Sequence, residues 1–89
     1  MAWQIELDDV AKKQLAQLDK PVAKRIIEFL RLRLAQLENP RNLGAALQEA
    51  ELGNYWKYRI GDYRVIAKIN DDKLIILVLK MGNRKEVYR

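Results

Sequence analysis

The sequence predicts an α+β fold with the order β-α-α-β-β-β, in which a helical hairpin packs on one face of a mainly antiparallel four-stranded sheet. Two observations predict this fold. Apolar residues recur at helical spacing between residues 10 and 37, whereas before and after that stretch they recur at strand spacing. Because 89 residues suffice for only one packed core, we expect a single domain over residues 1–89.

The first half of the chain contains one strand and two helices. Residues Trp3–Leu7 alternate apolar and polar side chains, which is typical of a half-buried strand. One face of a first helix follows, formed by Ala11, Leu15 and Leu18. Asp19-Lys20-Pro21 starts a second helix, whose apolar stripe comprises Val22, Ile26, Phe29, Leu30, Leu34 and Leu37. Asn39-Pro40 ends this helix, and the short link between the two helices predicts an antiparallel hairpin.

The second half begins with a loop and continues as three strands. Residues 40–51 contain Pro, Asn, Gly and small side chains, and we expect them to form a loop. Three later stretches are rich in β-branched and aromatic residues, namely Tyr55–Ile60, Tyr63–Ile69 and Leu74–Lys80. Gly61-Asp62 and Asn70-Asp71-Asp72 separate them and have the composition of hairpin turns. The three strands therefore form an antiparallel meander.

Composition excludes several classes of function. The chain has no cysteine and no histidine, which excludes disulfides, thiolate nucleophiles, zinc–thiolate sites and histidine bases. No carboxylate cluster suggests a bound metal, and we expect neither a metal nor another cofactor. No apolar run approaches the ~18 residues that span a bilayer, and the acidic start does not resemble a signal peptide. We therefore expect a cytoplasmic protein without a membrane partner.

The positive charge is confined to one part of the chain. Residues 1–51 hold 8 basic and 8 acidic side chains, whereas residues 52–89 hold 9 basic and 4 acidic ones. The whole net charge of +5 thus belongs to the second segment. A field confined to part of a small domain indicates a polyanionic partner, although charge alone is equally compatible with a role in solubility.

Strand alternation divides the first two meander strands into an apolar face and a basic face. The apolar face, which we expect to contact the helices, carries Trp56, Tyr58, Ile60, Tyr63, Val65, Ala67 and Ile69. The opposite face carries four cations side by side, Lys57, Arg59, Arg64 and Lys68. Like charges opposite one another in a sheet repel, so this face is either a solvated surface or the binding site of an anion.

Two segments carry a resemblance to a known family. Residues 53–66 read GNYWKYRIGDYRVI and residues 81–88 read MGNRKEVY. A Gly-Asp-Tyr-Arg hairpin and a Gly-x-Arg-x-x-Val-Tyr tail are each weak signals, but their combination in so short a chain is specific. The chain therefore resembles the RelE/ParE toxin superfamily, and the predicted element order matches the RelE-like fold over essentially the whole chain.

The resemblance implies an RNA-cleaving site on the open face of the sheet. RelE-type members cut mRNA in the decoding site of the ribosome and leave a 2′,3′-cyclic phosphate. Carried over residue by residue, the implied catalytic set is Lys57, Arg59, Arg64, Arg84 and Tyr88. Further contacts to RNA are expected from Tyr55, Lys68 and Lys85. The implied partners are mRNA on the 70S ribosome and a cognate antitoxin.

The chemistry of RNA cleavage suits this set. Attack by the 2′-hydroxyl needs a base, neutralisation of a dianionic phosphorane and a proton for the leaving 5′-oxygen. Arg64 and Arg84 suit the second task, because a guanidinium binds phosphate through a planar fork. Since neighbouring cations lower the pKa of lysine and tyrosine, Lys57 and Tyr88 are both candidates for the base. Arg59 stays charged, and we therefore assign it to the phosphate or to the charge of the transition state.

Three functions remain open. The first is an endoribonuclease that acts on ribosome-bound mRNA. It is favoured because ParE-type relatives, which inhibit DNA gyrase without catalysis, usually lack part of the five-residue set. The second is such a gyrase inhibitor, and the third is a regulatory member that binds RNA or its antitoxin without toxicity. The lack of a strong acid–base pair further predicts that the purified protein barely cuts naked RNA.

Overall fold

The computed structural model describes residues 2–47 and 55–83, which form two α-helices and five strands. In chain order these are β1 (Gln4–Leu7), α1 (Asp9–Gln17), α2 (Lys20–Glu28), β2 (Ala45–Ala46), β3 (Tyr55–Ile60), β4 (Tyr63–Asn70) and β5 (Ile75–Asn83). A π-helical segment, Phe29–Leu34, extends α2, and a 3₁₀ turn follows at Pro40–Asn42. Within the described ranges, no helix has the length and apolar character needed to cross a membrane.

The strands form one sheet in the order β1-β5-β4-β3-β2. β1 runs parallel to β5, and the other three pairs are antiparallel. The predicted helical hairpin on a mainly antiparallel sheet is thereby confirmed, but the predicted number of four strands is wrong. Residues 40–51 were expected to form a loop, whereas Ala45 and Ala46 pair with β3. Two alanines carry no β-branched or aromatic signal, so the sequence pattern does not reveal this strand.

The core lies between the helices and one face of the sheet. The helices contribute Ala11, Ile26, Leu30 and Leu34, and the sheet contributes chiefly Tyr58, Val65, Ala67, Ile69, Ile76, Val78 and Met81. The second helix differs from the prediction, because its regular α-helical part ends at Glu28. Beyond it the Ala35 N–H donates to the Leu30 carbonyl at 2.9 Å, five residues back. Leu30 and Leu34 are both buried in the core, as predicted for this stripe.

Three aromatic side chains fasten the connection between α2 and β2 to the core. The Trp3 Nε1–H donates to the Glu38 carbonyl at 3.2 Å, and the Tyr58 hydroxyl donates to the Pro40 carbonyl at 2.8 Å. The Trp56 Nε1–H donates to the Leu43 carbonyl at 2.6 Å. Trp3 and Tyr58 are buried, and Phe29 and Trp56 pack against the core, which agrees with the apolar faces on which the sequence predicts Phe29, Trp56 and Tyr58. These three hydrogen bonds therefore fix the position of the connection up to Leu43, the residue before Gly44.

Candidate active site

The β3–β4 hairpin sets two arginines opposite each other. Ile60 pairs with Tyr63 across the two-residue turn Gly61-Asp62, and Gly61 has a φ of 60°. A positive φ at the first turn position is the requirement that glycine meets in a type II′ turn. The next pair along the ladder is Arg59 with Arg64. Two positively charged side chains are therefore attached at directly opposite positions of neighbouring strands.

The open face of the sheet, opposite the helices, presents its side chains in three rows. The first row contains Arg59, Arg64 and Gly82, and the second contains Lys57, Ile66 and Lys80. The third row contains Tyr55, Lys68 and Leu77. The four cations predicted from strand alternation therefore share this face. By the same alternation, the described open-face positions of β3, β4 and β5 hold no carboxylate.

A pocket of about 300 Å³ lies at one edge of this face. Its lining comprises Gly44, Ala45, Lys57, Tyr58, Arg59 and Arg64. Ala45 lies opposite Lys57, so the short side chain of β2 leaves space beside the lysine. The β2 wall of the pocket was not predicted. The chain enters it at Gly44, which has a φ of 70°.

The two pocket arginines make only weak contacts to the turn beside them. The Arg59 Nε–H donates to the Gly61 carbonyl at 3.4 Å, and Arg64 Nη1 donates to the Tyr63 carbonyl at 3.3 Å. No carboxylate of the described residues forms an ion pair with either guanidinium. Within residues 2–47 and 55–83, most of their donors therefore have no partner, and a planar guanidinium binds an oxyanion through two parallel hydrogen bonds.

Tyr55 and Lys68 lie at the far end of the face from the hairpin turn. They are paired in the ladder, and the Lys68 ammonium lies 5.9 Å from the centre of the Tyr55 ring. This distance permits a cation–π contact that orients the ring. An aromatic ring beside a cation has the chemistry to stack on a base and bind its phosphate.

Lys80 is a fifth cation of this face that the sequence interpretation missed. The pairing of β4 with β5 shifts between Ile66 and Ala67, because Ile66 pairs with Lys80 and Ala67 pairs with Val78. Leu79 is thus the extra residue of a β-bulge. The sequence did contain a signal, since strict alternation from Ile76 and Val78 would have put a lysine into the core.

The described residues contain three of the five residues predicted as catalytic. Lys57, Arg59 and Arg64 line the same pocket. The other two, Arg84 and Tyr88, and the predicted RNA contact Lys85 lie outside the described residues. β5 ends at Asn83, opposite Tyr63 and next to the row of Arg59 and Arg64. The last described residue of β5 therefore lies at the end of the sheet where the two arginines are.

Solved structures of toxins share this fold. A chain of the RelBE2 toxin–antitoxin complex from Mycobacterium tuberculosis is 22% identical with a TM-score of 0.82, over 97% of this chain and 95% of that one. A chain of the archaeal RelE–RelB complex from Pyrococcus horikoshii is 28% identical with a TM-score of 0.76, over 97% and 99%. A double arginine mutant of Escherichia coli RelE in the free state is 24% identical with a TM-score of 0.80, over 99% and 92%.

Sequence comparison assigns the family. Toxin RelG of Mycobacterium tuberculosis is 25% identical over 89 residues, which span 100% of this chain and 99% of RelG. The family model that matches residues 5–88 is described as the ParE toxin of the type II toxin-antitoxin system parDE. Since this match covers nearly the whole chain, the protein belongs to the ParE toxin family, within the RelE/ParE superfamily of type II toxin–antitoxin systems.

Proposed function

We propose that the protein is an endoribonuclease toxin that cleaves mRNA in the decoding site of the bacterial ribosome and acts in the cytoplasm. The observation that carries this proposal is the pairing of Arg59 with Arg64 beside Lys57 in one pocket. Like charges opposite each other destabilise a sheet, and an anion bound between the two arginines would offset their repulsion. A phosphate of RNA is such an anion, and two guanidinium groups fit its oxygens.

The reaction is an attack of the 2′-oxygen on the adjacent phosphorus. The bond from phosphorus to the 5′-oxygen breaks, which leaves a 2′,3′-cyclic phosphate on one fragment and a 5′-hydroxyl on the other. Arg59 and Arg64 bind the nonbridging oxygens and neutralise the charge that develops on the phosphorane. Fixed cations aimed at developing charge are usually the largest single contribution to such catalysis.

Two proton transfers complete the step. The proton of the 2′-hydroxyl goes to Lys57 or Tyr88, and a water molecule gives the leaving 5′-oxygen its proton. Arg84 adds a further cation at the phosphate. The end of β5 at Asn83, next to the Arg59–Arg64 row, supports this assignment, since residues 84–88 follow it directly. Tyr55, Lys68 and Lys85 bind the flanking RNA.

A cognate antitoxin is the second proposed partner. Two of the similar solved structures are complexes of a toxin with its antitoxin, and this chain matches the toxin fold over 97% of its length in both. A segment with acidic side chains is suited to the basic open face, because it would cover the five cations and prevent RNA from reaching them.

The test is a cleavage assay on 70S ribosomes that hold a defined mRNA with an empty decoding site. The RNA ends are mapped for the wild type, for Arg59→Ala and for Arg64→Ala. Lys13→Ala is the control, because Lys13 is an exposed cation on α1, on the opposite side of the sheet. We expect a cut in the decoding site from the wild type and the control, and a loss of about 100-fold or more in each arginine variant.

The match to the ParE toxin family favours a second function, the non-catalytic inhibition of DNA gyrase. A DNA supercoiling assay with purified gyrase, run on the same preparations, distinguishes the two. Folded protein that leaves ribosome-bound mRNA intact and blocks supercoiling would overturn the ribonuclease proposal. Cleavage of mRNA without an effect on gyrase would exclude the alternative.

A further inference from the structure

The β-bulge in β5 changes the direction of Lys80. Val78 and Met81 are 0% and 1% exposed and both belong to the core, although they are three residues apart. Regular alternation places residues an even number apart on the same face, so two residues three apart should lie on opposite faces. The extra residue Leu79 resolves this mismatch, and it leaves Lys80 exposed on the open face. Bulges near a functional site commonly redirect a side chain in this way.

Lys80 and Lys57 flank an apolar floor. Both are paired neighbours of Ile66 on β4, one on each side, and Ile66 is only 3% exposed. Two interstrand spacings put the backbones of the two lysines roughly 10 Å apart. Among residues 2–47 and 55–83, Lys80 forms no ion pair and no side-chain hydrogen bond.

An alternative role for Lys80 is protection of a strand edge. β1 pairs with β5 only as far as Val78, and no other strand of the described residues lies beside the positions that follow. Lysines on open edges hinder aggregation. The structure already covers part of this edge in another way, because the Met81 N–H donates to Oε1 of Gln14 on α1 at 2.6 Å. Moreover, the bulge directs Lys80 towards the basic open face, with Ile66 between it and Lys57.

We propose that Lys80 binds the backbone phosphate next to the one held by Arg59 and Arg64, so that a single strand of RNA runs along the open face. The proposal rests on the proposed ribonuclease function. The row of Lys57 and Lys80 follows the arginine row after two residues, a distance of about 7 Å along the strands. Successive phosphates of an extended single strand have a similar spacing. The next row, with Tyr55 and Lys68, continues the same path.

The experiment measures cleavage rates on programmed 70S ribosomes over a range of ribosome and KCl concentrations. We expect Lys80→Ala to raise KM roughly five-fold, the effect of one exposed ion pair, with kcat little changed. Removal of one phosphate contact should also make the plot of log kcat/KM against log salt concentration shallower by about 0.7. A residue that only protects an edge would not alter this slope.

Three further variants make the result decisive. Lys80→Arg keeps the charge and should show the KM and the slope of the wild type. Lys80→Gln keeps a polar side chain at the edge but removes the charge, so it should show the raised KM and the shallower slope expected for Lys80→Ala. It tests the charge even if the alanine variant aggregates. Lys13→Ala removes a charge from α1 and should change neither quantity. Unchanged KM and slope in Lys80→Gln, beside an active wild type, would overturn the role of Lys80. An inactive wild type would overturn the ribonuclease proposal itself, and with it this inference.

Discussion

Arg59 and Arg64 lie directly opposite each other on β3 and β4, one pair away from the hairpin turn. The residues beside them on these strands, Tyr58, Ile60 and Val65, are buried on the other face of the same hairpin. The hairpin therefore derives its stability from its helix-facing side, which allows its open side to hold an unfavourable pair of like charges. Binding chemistry and folding stability are thus divided between the two faces of the same two strands.

Removal of one of these arginines should stabilise the fold and reduce activity. In Arg59→Thr, the loss of repulsion and the strand preference of threonine should raise the free energy of unfolding by about 0.5 kcal/mol, as measured by urea denaturation at low salt. The gain should shrink as added salt screens the charges. Lys68→Thr is the matched control, because Lys68 pairs with Tyr55 and not with a cation. A less stable Arg59→Thr protein would contradict the proposed repulsion.

The wall formed by β2 should depend on Gly44. Its φ of 70° disfavours any other residue, and a Cβ there would meet the Lys57 carbonyl and lie 2.8 Å from Cδ1 of Tyr58. We expect Gly44→Ala to cost about 1–3 kcal/mol of stability and to reduce cleavage by displacing β2. Hydrogen exchange of the Leu47 amide, which donates to the Tyr55 carbonyl at 3.2 Å, reports on this pairing. Ala46→Ser, on exposed β2, is the control, and normal Leu47 protection in Gly44→Ala would refute the idea.

The sequence predicted those parts of the site that lie on long, regular strands. Strand alternation in Tyr55–Ile60 and from Tyr63 onward correctly put Lys57, Arg59, Arg64 and Lys68 on one face, because nothing interrupts the period of two within these stretches. Lys80 was missed because the bulge at Leu79 breaks that period. The β2 wall was missed because its pairing depends on the tertiary position of the chain after Leu43 and not on strand propensity.

The ion pair between Arg41 and Asp71 should stabilise the fold modestly and in a pH-dependent way. Arg41 binds both carboxylate oxygens, at 2.9 and 3.0 Å, and joins the 3₁₀ turn to the β4–β5 turn. These hydrogen bonds hold the pKa of Asp71 below its usual value. Because the Asp71 side chain is 58% exposed, solvent limits the coupling to at most about 1 kcal/mol.

A double-mutant cycle with Arg41→Met and Asp71→Asn measures this coupling. Because the pKa of Asp71 is lowered in the folded protein, the ion pair stabilises the fold fully above the unfolded-state pKa of about 4. This stabilisation is lost as the pH falls through the pKa of Asp71 in the folded protein. We therefore expect a coupling of roughly 0.5–1 kcal/mol at pH 7 that declines towards pH 3. The neighbouring Asp72→Asn should show no coupling to Arg41. A coupling that does not change with pH would show that the carboxylate charge is not its source.

The buried hydroxyl of Tyr58 should stabilise the protein most at neutral pH. Tyr58→Phe leaves the Pro40 carbonyl without its donor, which should cost about 1–2 kcal/mol in urea denaturation at pH 7. Burial raises the pKa of Tyr58, so above about pH 10 the unfolded chain releases a proton that the folded protein still holds. The wild type therefore loses stability as the pH rises from about 10 towards the folded-state pKa, whereas the phenylalanine variant lacks this loss. The difference in the free energy of unfolding between the two proteins should consequently narrow between pH 9 and 11. A constant difference would mean that Tyr58 ionises as readily in the folded protein as in the unfolded chain.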